Sequence, residues 1–444
     1  MNSHNRNRTF AQLCLVVLLF CGLVSCKKSA VMTLQLFTPT GIDTLDGVTE
    51  LRIFVDQSTD GLMIPLSTIG QPDAFVDVDA DKQNHVLTIE AYKEETLVSR
   101  GRSLSLLFEA KNVATRVVLW PVERFAPLRA TLADDWQGTA FFQLADHRIV
   151  ALHDSRTSLF EFSTATFVDG PELPGALVTP VGLPLDANRL ILIGQTNSYT
   201  LDLTAESATA TVWDGETPSS QGGRLIKGAD TTYVLVNPAP AASYIIDTST
   251  LKVTRLEIPE ETSANSCVAV EGGYLWLVGG NPTGDAIRLV ELATKTRTSV
   301  TDASVTIPPS LTDCGIAVLE SGELLVFGGK SDTVQSAIYR LKPTCLDGSC
   351  ALQIAAGALQ TARYRFGLSV MRDGSVLVSG GLGDADQPQS NAEIVAIEND
   401  VITLKSTVEM IRSRVQHRSF RLDAGEILLL GGEARIDGEL YMPR

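Results

Sequence analysis

The chain has 444 residues, 44% of them hydrophobic and 20% charged, with a formal net charge of -16. That length exceeds one ordinary core, so it calls for several domains or a long repeat array. The acidic balance argues against nucleic acid as a partner, because phosphates would be repelled, and alternating apolar runs without a helix-period stretch past the N-terminus point to an all-β protein.

The first element is a leader. "MNSHNRNRTFAQLCLVVLLFCGLVSCKK" opens with Arg6 and Arg8, runs through an apolar stretch from Leu13 to Val24 and places a small residue before Cys26. This is the layout of a secretory signal, too short for a comfortable membrane span. Leu23-Val24-Ser25-Cys26 resembles the lipobox of bacterial lipoproteins. The resemblance implies that residues 1–25 are removed, that Cys26 is the lipid attachment site and that 26–30 form a lipidated linker. Several acyl chains on one residue hold a protein on a bilayer where a single chain binds only marginally. Lys27 stands where lipoproteins retained at the inner membrane often carry Asp, which points to the outer membrane, on its periplasmic or surface face. An uncleaved anchor and an ordinary signal peptide with an incidental cysteine are the competing readings.

Residues 31–121 offer "VMTLQLF", "TELRIFV", "AFVDVDA", "HVLTIEAY", "SLSLLFE" and "ATRVVLWP", separated by turn-rich pieces. Short strands at this density suggest an immunoglobulin-like β-sandwich, although the Cys…Trp…Cys hallmark is missing. A spacer between membrane and propeller is its expected role. Asp77, Asp79 and Asp81 imitate the start of a calcium loop, but Lys82 stands where an EF-hand needs Gly and Thr88 where it needs Glu. The alternation of "FVDVDA" instead puts the acids on the wet face of a strand.

From 122 to 444 the chain repeats itself. "EGGYLWLVGG", "ESGELLVFGG", "RDGSVLVSGG" and "DAGEILLLGG" each read as a hairpin turn running into a buried strand that stops at two glycines. Aligning on the turn gives Asp146, Asn188, Asp230, Gly273, Gly322, Gly374 and Gly425, all residue types that tolerate positive φ. The spacings are 42, 42, 43, 49, 52 and 51 residues, the period of a propeller blade. Every copy carries a third strand, from "SLFEF" to "GELYMP", but only six carry a fourth. The last copy therefore needs a strand from elsewhere, and "RFAPLRATLA" at 124–133 is the expected donor.

The phrase in "GSVLVSGG" and "GEILLLGG", followed by "AEIVAI" or "GELYMP", resembles the kelch repeat as found in the galactose oxidase type of seven-bladed propeller. "MIRSRVQHRSF" is similar to the Met-x-x-x-Arg-x-x-His run that precedes the innermost strand in that group. The first three copies depart from the pattern, with Leu152-His153, Gly194-Gln195 and Val236-Asn237 in place of the double glycine. The implied fold is a seven-bladed kelch-like β-propeller over 122–444, preceded by the sandwich.

Copper chemistry of the galactose oxidase kind requires histidine ligands and a Tyr-Cys pair. Past the leader the chain has only His85, His147, His153 and His417, and His417 falls on a structural position of the repeat. No Gly-x-Ser-x-Gly elbow and no His-Glu-x-x-His spacing occurs. The expectation is accordingly no catalytic residues, no metal, no cofactor and no enzyme. Cys345 and Cys350 flank "LDGS" and are expected to form a disulfide, favoured by export. Cys267 and Cys314 precede successive hairpin turns and are read either as a bridge or as two buried thiols. Loops expected on one propeller face gather Arg363, Arg365, Arg412, Arg414 and Arg418, a candidate rim for a carboxylate, a sugar acid or an acidic partner. Arginines paired to carboxylates of neighbouring blades are the competing reading. The expected function is a monomeric, lipid-anchored scaffold of the cell envelope that holds a protein or glycan ligand. The alternative is a carbohydrate-active or oxidase-type propeller enzyme.

Overall fold

A computed structural model describes residues 13–15, 29–56, 58–65, 76–79, 81–109, 113–129, 132, 136, 138–238, 240–258, 266–281, 285–301, 307–346, 349–433 and 437–444. Cys26 and the lipobox lie outside the described residues, as do the side chains of Asp77, Asp79 and Cys350. The chain is all-β and divides into two compact units, one comprising Met1–Ala130, Glu161–Thr166 and Leu440–Arg444, the other Thr131–Phe160 and Phe167–Glu439.

In the first unit, Glu50–Val55, Leu62–Pro65, Leu87–Lys93, Thr96–Arg102 and Trp120–Pro121 share one sheet. A second sheet sets Ser29–Phe37 parallel to Val113–Val118 and antiparallel to Val76–Asp79. Alternation decides which side chains go inside: Leu87, Ile89 and Ala91 are buried on one strand and Leu51 and Ile53 on its neighbour, while the residues between them face outward. These five pack with Leu34, Leu36 and Val117 of the second sheet in one core. Asp81 faces His85. Its carboxylate lies 2.9 Å from His85 Nε2, and Asp56 lies 2.8 Å from Nδ1 of the same ring. Both carboxylates therefore raise the His85 pKa.

The second unit is a propeller-like succession of antiparallel sheets in which consecutive strands pair as a meander. The first runs Ala140–Gln143, Ile149–His153, Arg156–Glu161, Thr166–Asp169. Later meanders begin at Val181–Pro184, Arg224–Lys227, Cys267–Glu271, Gly315–Val318, Gly367–Val370 and Arg418–Arg421, those begun by Cys267–Glu271 and Gly315–Val318 being joined into one eight-stranded sheet. Successive first strands lie side by side. The Gln143 side-chain amide donates to the Arg421 carbonyl at 2.7 Å, which brings the first sheet against the last.

The second strand of each sheet is apolar on both faces because both faces are covered. In Arg189–Ile193, Leu190 and Leu192 pack toward the preceding sheet with Val150 and Leu152, whereas Ile191 and Ile193 pack toward the following one with Leu235 and Ile246. Tyr274–Val278 repeats the arrangement, with Leu275 and Leu277 on one side and Trp276 and Val278 on the other. The core is thus a series of apolar layers between sheets, each built by strands that alternate with period two.

The double glycines explain themselves locally. Gly279-Gly280, Gly328-Gly329, Gly380-Gly381 and Gly431-Gly432 all have positive φ at both positions. The second glycine's N–H donates across to the next repeat: Gly280 to Leu311 O at 2.7 Å, Gly329 to Arg363 O at 2.9 Å, Gly381 to Arg414 O at 2.8 Å. A Cβ on the first glycine would lie 2.0, 2.4 or 2.5 Å from those same oxygens, so no side chain fits. Without the doublet, the third sheet uses the Asn237 side chain, whose amide donates to Ser219 O at 2.7 Å and to Ala242 O at 2.6 Å.

The turn positions differ in the first two repeats. Asp230, Gly273, Gly322, Gly374 and Gly425 take positive φ, but in the first repeat the left-handed residue is His147, one past Asp146. In the second, Asp186 accepts from the Asn188 and Arg189 amides, each at 2.9 Å, and the side chain shapes a turn that needs no left-handed residue.

The final strand, Gly438–Tyr441, takes Phe125–Pro127 as its outer neighbour, and the fourth-strand position is filled from the N-terminal side. Glu123 N donates to Met442 O at 2.7 Å, and the Phe125 and Tyr441 rings lie 5.2 Å apart. Cys267 and Cys314 are bridged across first strands of adjacent sheets, with Cα atoms 5.7 Å apart. Cys345 is disulfide-bonded, and the residue opposite it in strand register is Cys350. That hairpin, Ala337–Leu346 with Ser349–Ala358, extends far enough for Ser349–Ala351 to pair in parallel with Ser299–Thr301 of the preceding sheet.

Gly380→Ala is expected to destabilise by about 3 kcal/mol in urea unfolding, through left-handed strain plus the clash with Arg414 O. Gly374→Ala, with positive φ but open space around its Cβ, should cost only about 1 kcal/mol.

Candidate functional site

The five rim arginines have different fates. Arg363 is fully buried. It donates to Glu393 Oε1 at 2.6 Å, to Gly380 O at 2.9 Å and to Asn391 O at 3.0 Å. Arg414 repeats the arrangement one sheet later, donating to Glu439 Oε1 at 2.6 Å and to Gly431 O at 2.8 Å. Each guanidinium therefore clamps the first glycine's carbonyl to a carboxylate on the third strand. Burial lowers the Arg363 pKa and raises that of Glu439, because both charged forms lose water. These two arginines hold the structure together and are closed to any ligand. Arg365 is half-buried, 3.3 Å from Asp313 and stacked over Tyr364. Arg412 is exposed and 3.6 Å from Asp437.

Arg418 alone of the five points into open space. It starts the first strand of the last sheet and lines a cavity of about 520 Å³. Phe141, Gly182, Arg224 and Val268, from four other first strands, and Phe420 from its own line the same space. An adjoining cavity of about 470 Å³ shares Phe141, Gly223 and Arg418 with it. The two therefore occupy the middle of the ring of first strands, a volume suited to a small ligand.

The cavity is cationic. Arg224, Lys227 and Arg418 line the larger part together with His147 and Tyr233, and among the described residues no carboxylate does; Glu433 lines the adjoining part. Among the described residues neither the Arg224 nor the Arg418 side chain has a hydrogen bond or an ion pair. Both reach solvent inside the ring, yet protein surrounds them closely enough that desolvation lowers both pKa values. The charge of Arg224 lowers that of Arg418 further, while Asp313, already engaged by Arg365, acts on Arg224 in the opposite sense. Gly223 permits the approach: a Cβ there would lie 2.3 Å from Asn237 Oδ1.

Sequence reasoning missed Arg224, Lys227 and His147 as partners of Arg418. They are nearly 200 residues or more away along the chain, and only the ring places their strands around one axis. A usable signal was present in "GGRLIK", a first strand opening on a cation.

No family model matches the chain, and no curated protein is similar to it. Among solved structures it is similar to a novel fungal alcohol oxidase of the AA5 family in complex with copper, 14% identical, with a TM-score of 0.54 over 72% of this chain and 75% of that one. The likeness shows the fold. It also corrects the expectation that the chain is no enzyme, which rested on missing local motifs. A propeller that carries catalysis assembles its centre from strand ends of several sheets, and no local motif need mark it.

Among the described residues no group of three or more His, Cys, Asp or Glu could hold a metal ion. His417, the histidine of the repeat motif, is buried with Nε2 2.8 Å from Ser379 Oγ and packed against Gly367. Burial, and secondarily the charge of Arg414, pushes its pKa down to about 3.

Because the folded state holds this imidazole neutral, His417 contributes stability that is complete above its ordinary value near 6.5 and is lost as the pH falls toward about 3. Wild type should lose on the order of 3 kcal/mol more than His417→Gln between pH 7 and pH 4. Urea unfolding at both pH values for both proteins measures it, and equal slopes would refute it.

Proposed function

We propose that this protein is an enzyme of the oxidase or carbohydrate-active class, built on a seven-bladed kelch-like propeller and acting on a small polar substrate in the axial cavity. The observation that carries the reading is the cavity itself, bordered by first strands and lined by Arg224, Lys227 and Arg418, whose side chains make no hydrogen bond or ion pair with any described residue. The likeness to a copper alcohol oxidase supports the class of chemistry. Support for seven blades comes from the seven turn positions and from the sheets that begin at each first strand. Support for kelch character comes from the four double glycines with their shared backbone geometry. The two sheets around Leu34, Leu51 and Ile89 favour an immunoglobulin-like stalk. In this reading Cys26 carries the lipid that places the enzyme on the outer membrane, and Cys345 pairs with Cys350.

Two measurements test it. The full chain, purified in detergent, should oxidise members of an alcohol and sugar panel, or hydrolyse members of a glycoside panel, above the rate of heat-inactivated protein, with copper added and without. No turnover under any of these conditions would overturn the enzyme reading. Cells fed a labelled fatty acid should label the wild-type chain and leave Cys26→Ser unlabelled, and label retained in the variant would remove the lipid assignment.

A further inference from the structure

We propose that Arg224 and Arg418 form a binding site for an organic anion of monosaccharide size, a sugar acid or a sugar phosphate, in the axial cavity. The proposal rests on reading that cavity as the ligand site and adds what the ligand must carry.

Geometry comes first. Arg224 begins one first strand and Arg418 another, and both line the 520 Å³ cavity. Elsewhere in this unit three buried arginines are paired with carboxylates: Arg363 with Glu393, Arg414 with Glu439, Arg340 with Glu323 at 2.9 Å. Arg224 and Arg418 differ: they are exposed to the cavity, and among the described residues neither they nor Lys227, which lines the same wall, makes a side-chain hydrogen bond or ion pair. Two like charges facing one space repel each other in the empty protein, and Asp313, which makes no ion pair with either, offsets the charge of Arg224 only in part. A protein of net charge -16 has carboxylates in abundance, and among the described residues none lines this part of the cavity. An arrangement that costs stability without a compensating contact inside the chain is accounted for by a contact outside it. A carboxylate or phosphate meets this need, since its oxygens accept the forked donors of a guanidinium in pairs.

Size and lining narrow the class. The volume far exceeds that of a bare inorganic ion and falls in the range of small-molecule sites. Gln143 and Tyr233 supply neutral hydrogen-bonding groups, and Phe141, Val268 and Phe420 supply apolar wall. A polyol body with one anionic group suits such a mixture better than a wholly charged or wholly apolar molecule.

The test is isothermal titration of the full chain in detergent with glucuronate, glucose 6-phosphate, glucose and inorganic phosphate. At least one of the two anionic sugars should bind, glucose should bind at least tenfold more weakly, and affinity should fall as salt is raised. Which anionic sugar binds more tightly separates carboxylate from phosphate recognition. Arg224→Gln and Arg418→Gln should each weaken binding roughly tenfold or more, whereas Arg412→Gln should leave it unchanged. Melting temperatures keep the test independent of turnover: Arg224→Gln should melt higher than wild type when empty, because the repulsion is removed. Failure of both anionic sugars to bind, glucose binding as tightly as they do, or unchanged binding in the double variant would overturn the proposal. Turnover of neutral alcohols together with any of these results would leave the enzyme reading standing and remove this one alone.

Discussion

The propeller depends on one backbone contact. In the repeats that end their second strands at Gly279-Gly280, Gly328-Gly329 and Gly380-Gly381, the second glycine's N–H reaches a carbonyl just before the next first strand, as Gly381 reaches Arg414 O at 2.8 Å. The contact brings two backbones so close that the preceding position tolerates no Cβ, and both residues turn through positive φ. Adjacent sheets are thereby fixed at their inner ends, where the first strands meet. The apolar layers farther out can then pack tightly, because the sheets that form them are already held in place.

A second layer of constraint builds on the first. The guanidiniums of Arg363 and Arg414 satisfy the carbonyls that the glycine turns leave pointing inward, and Glu393 and Glu439 neutralise them. Glu393 also accepts from Gln360 N at 2.6 Å and Thr361 N at 3.0 Å, so one buried carboxylate ties a loop, a turn and a strand together. Such pairs pay for desolvation only when every remaining lone pair is occupied, and these carboxylates meet that condition closely. The contrast gives the axial cavity its meaning. The same residue type is fully engaged a few residues away and unengaged around the axis, and the difference lies in position relative to the ring.

Much of the fold was legible. The period near 42 to 52 residues, the all-β pattern and the strand missing from the last repeat could all be read from residue types at fixed offsets. Leu190, Ile191, Leu192 and Ile193 show as a continuous apolar run that burial on both faces requires. Other features were not legible. The exact left-handed residue in the first repeat depends on whether a side chain or the backbone closes the turn. The parallel joining of Ser349–Ala351 to Ser299–Thr301 depends on how far one hairpin outgrows its neighbours.

The candidate site divides along the same line. Local sequence by itself determined that Arg363, Arg365, Arg412, Arg414 and Arg418 sit in loops or strand starts at one end of their sheets, because turn chemistry and strand period are properties of a few neighbouring residues. Only the tertiary structure decided which of them are used up by the fold and which face open space. It took Glu393 and Glu439 from third strands to close Arg363 and Arg414, and it brought Arg224 to Arg418 from 194 positions away. Charge balance in a buried volume is set by every strand that borders it, and in a ring those strands come from distant parts of the chain.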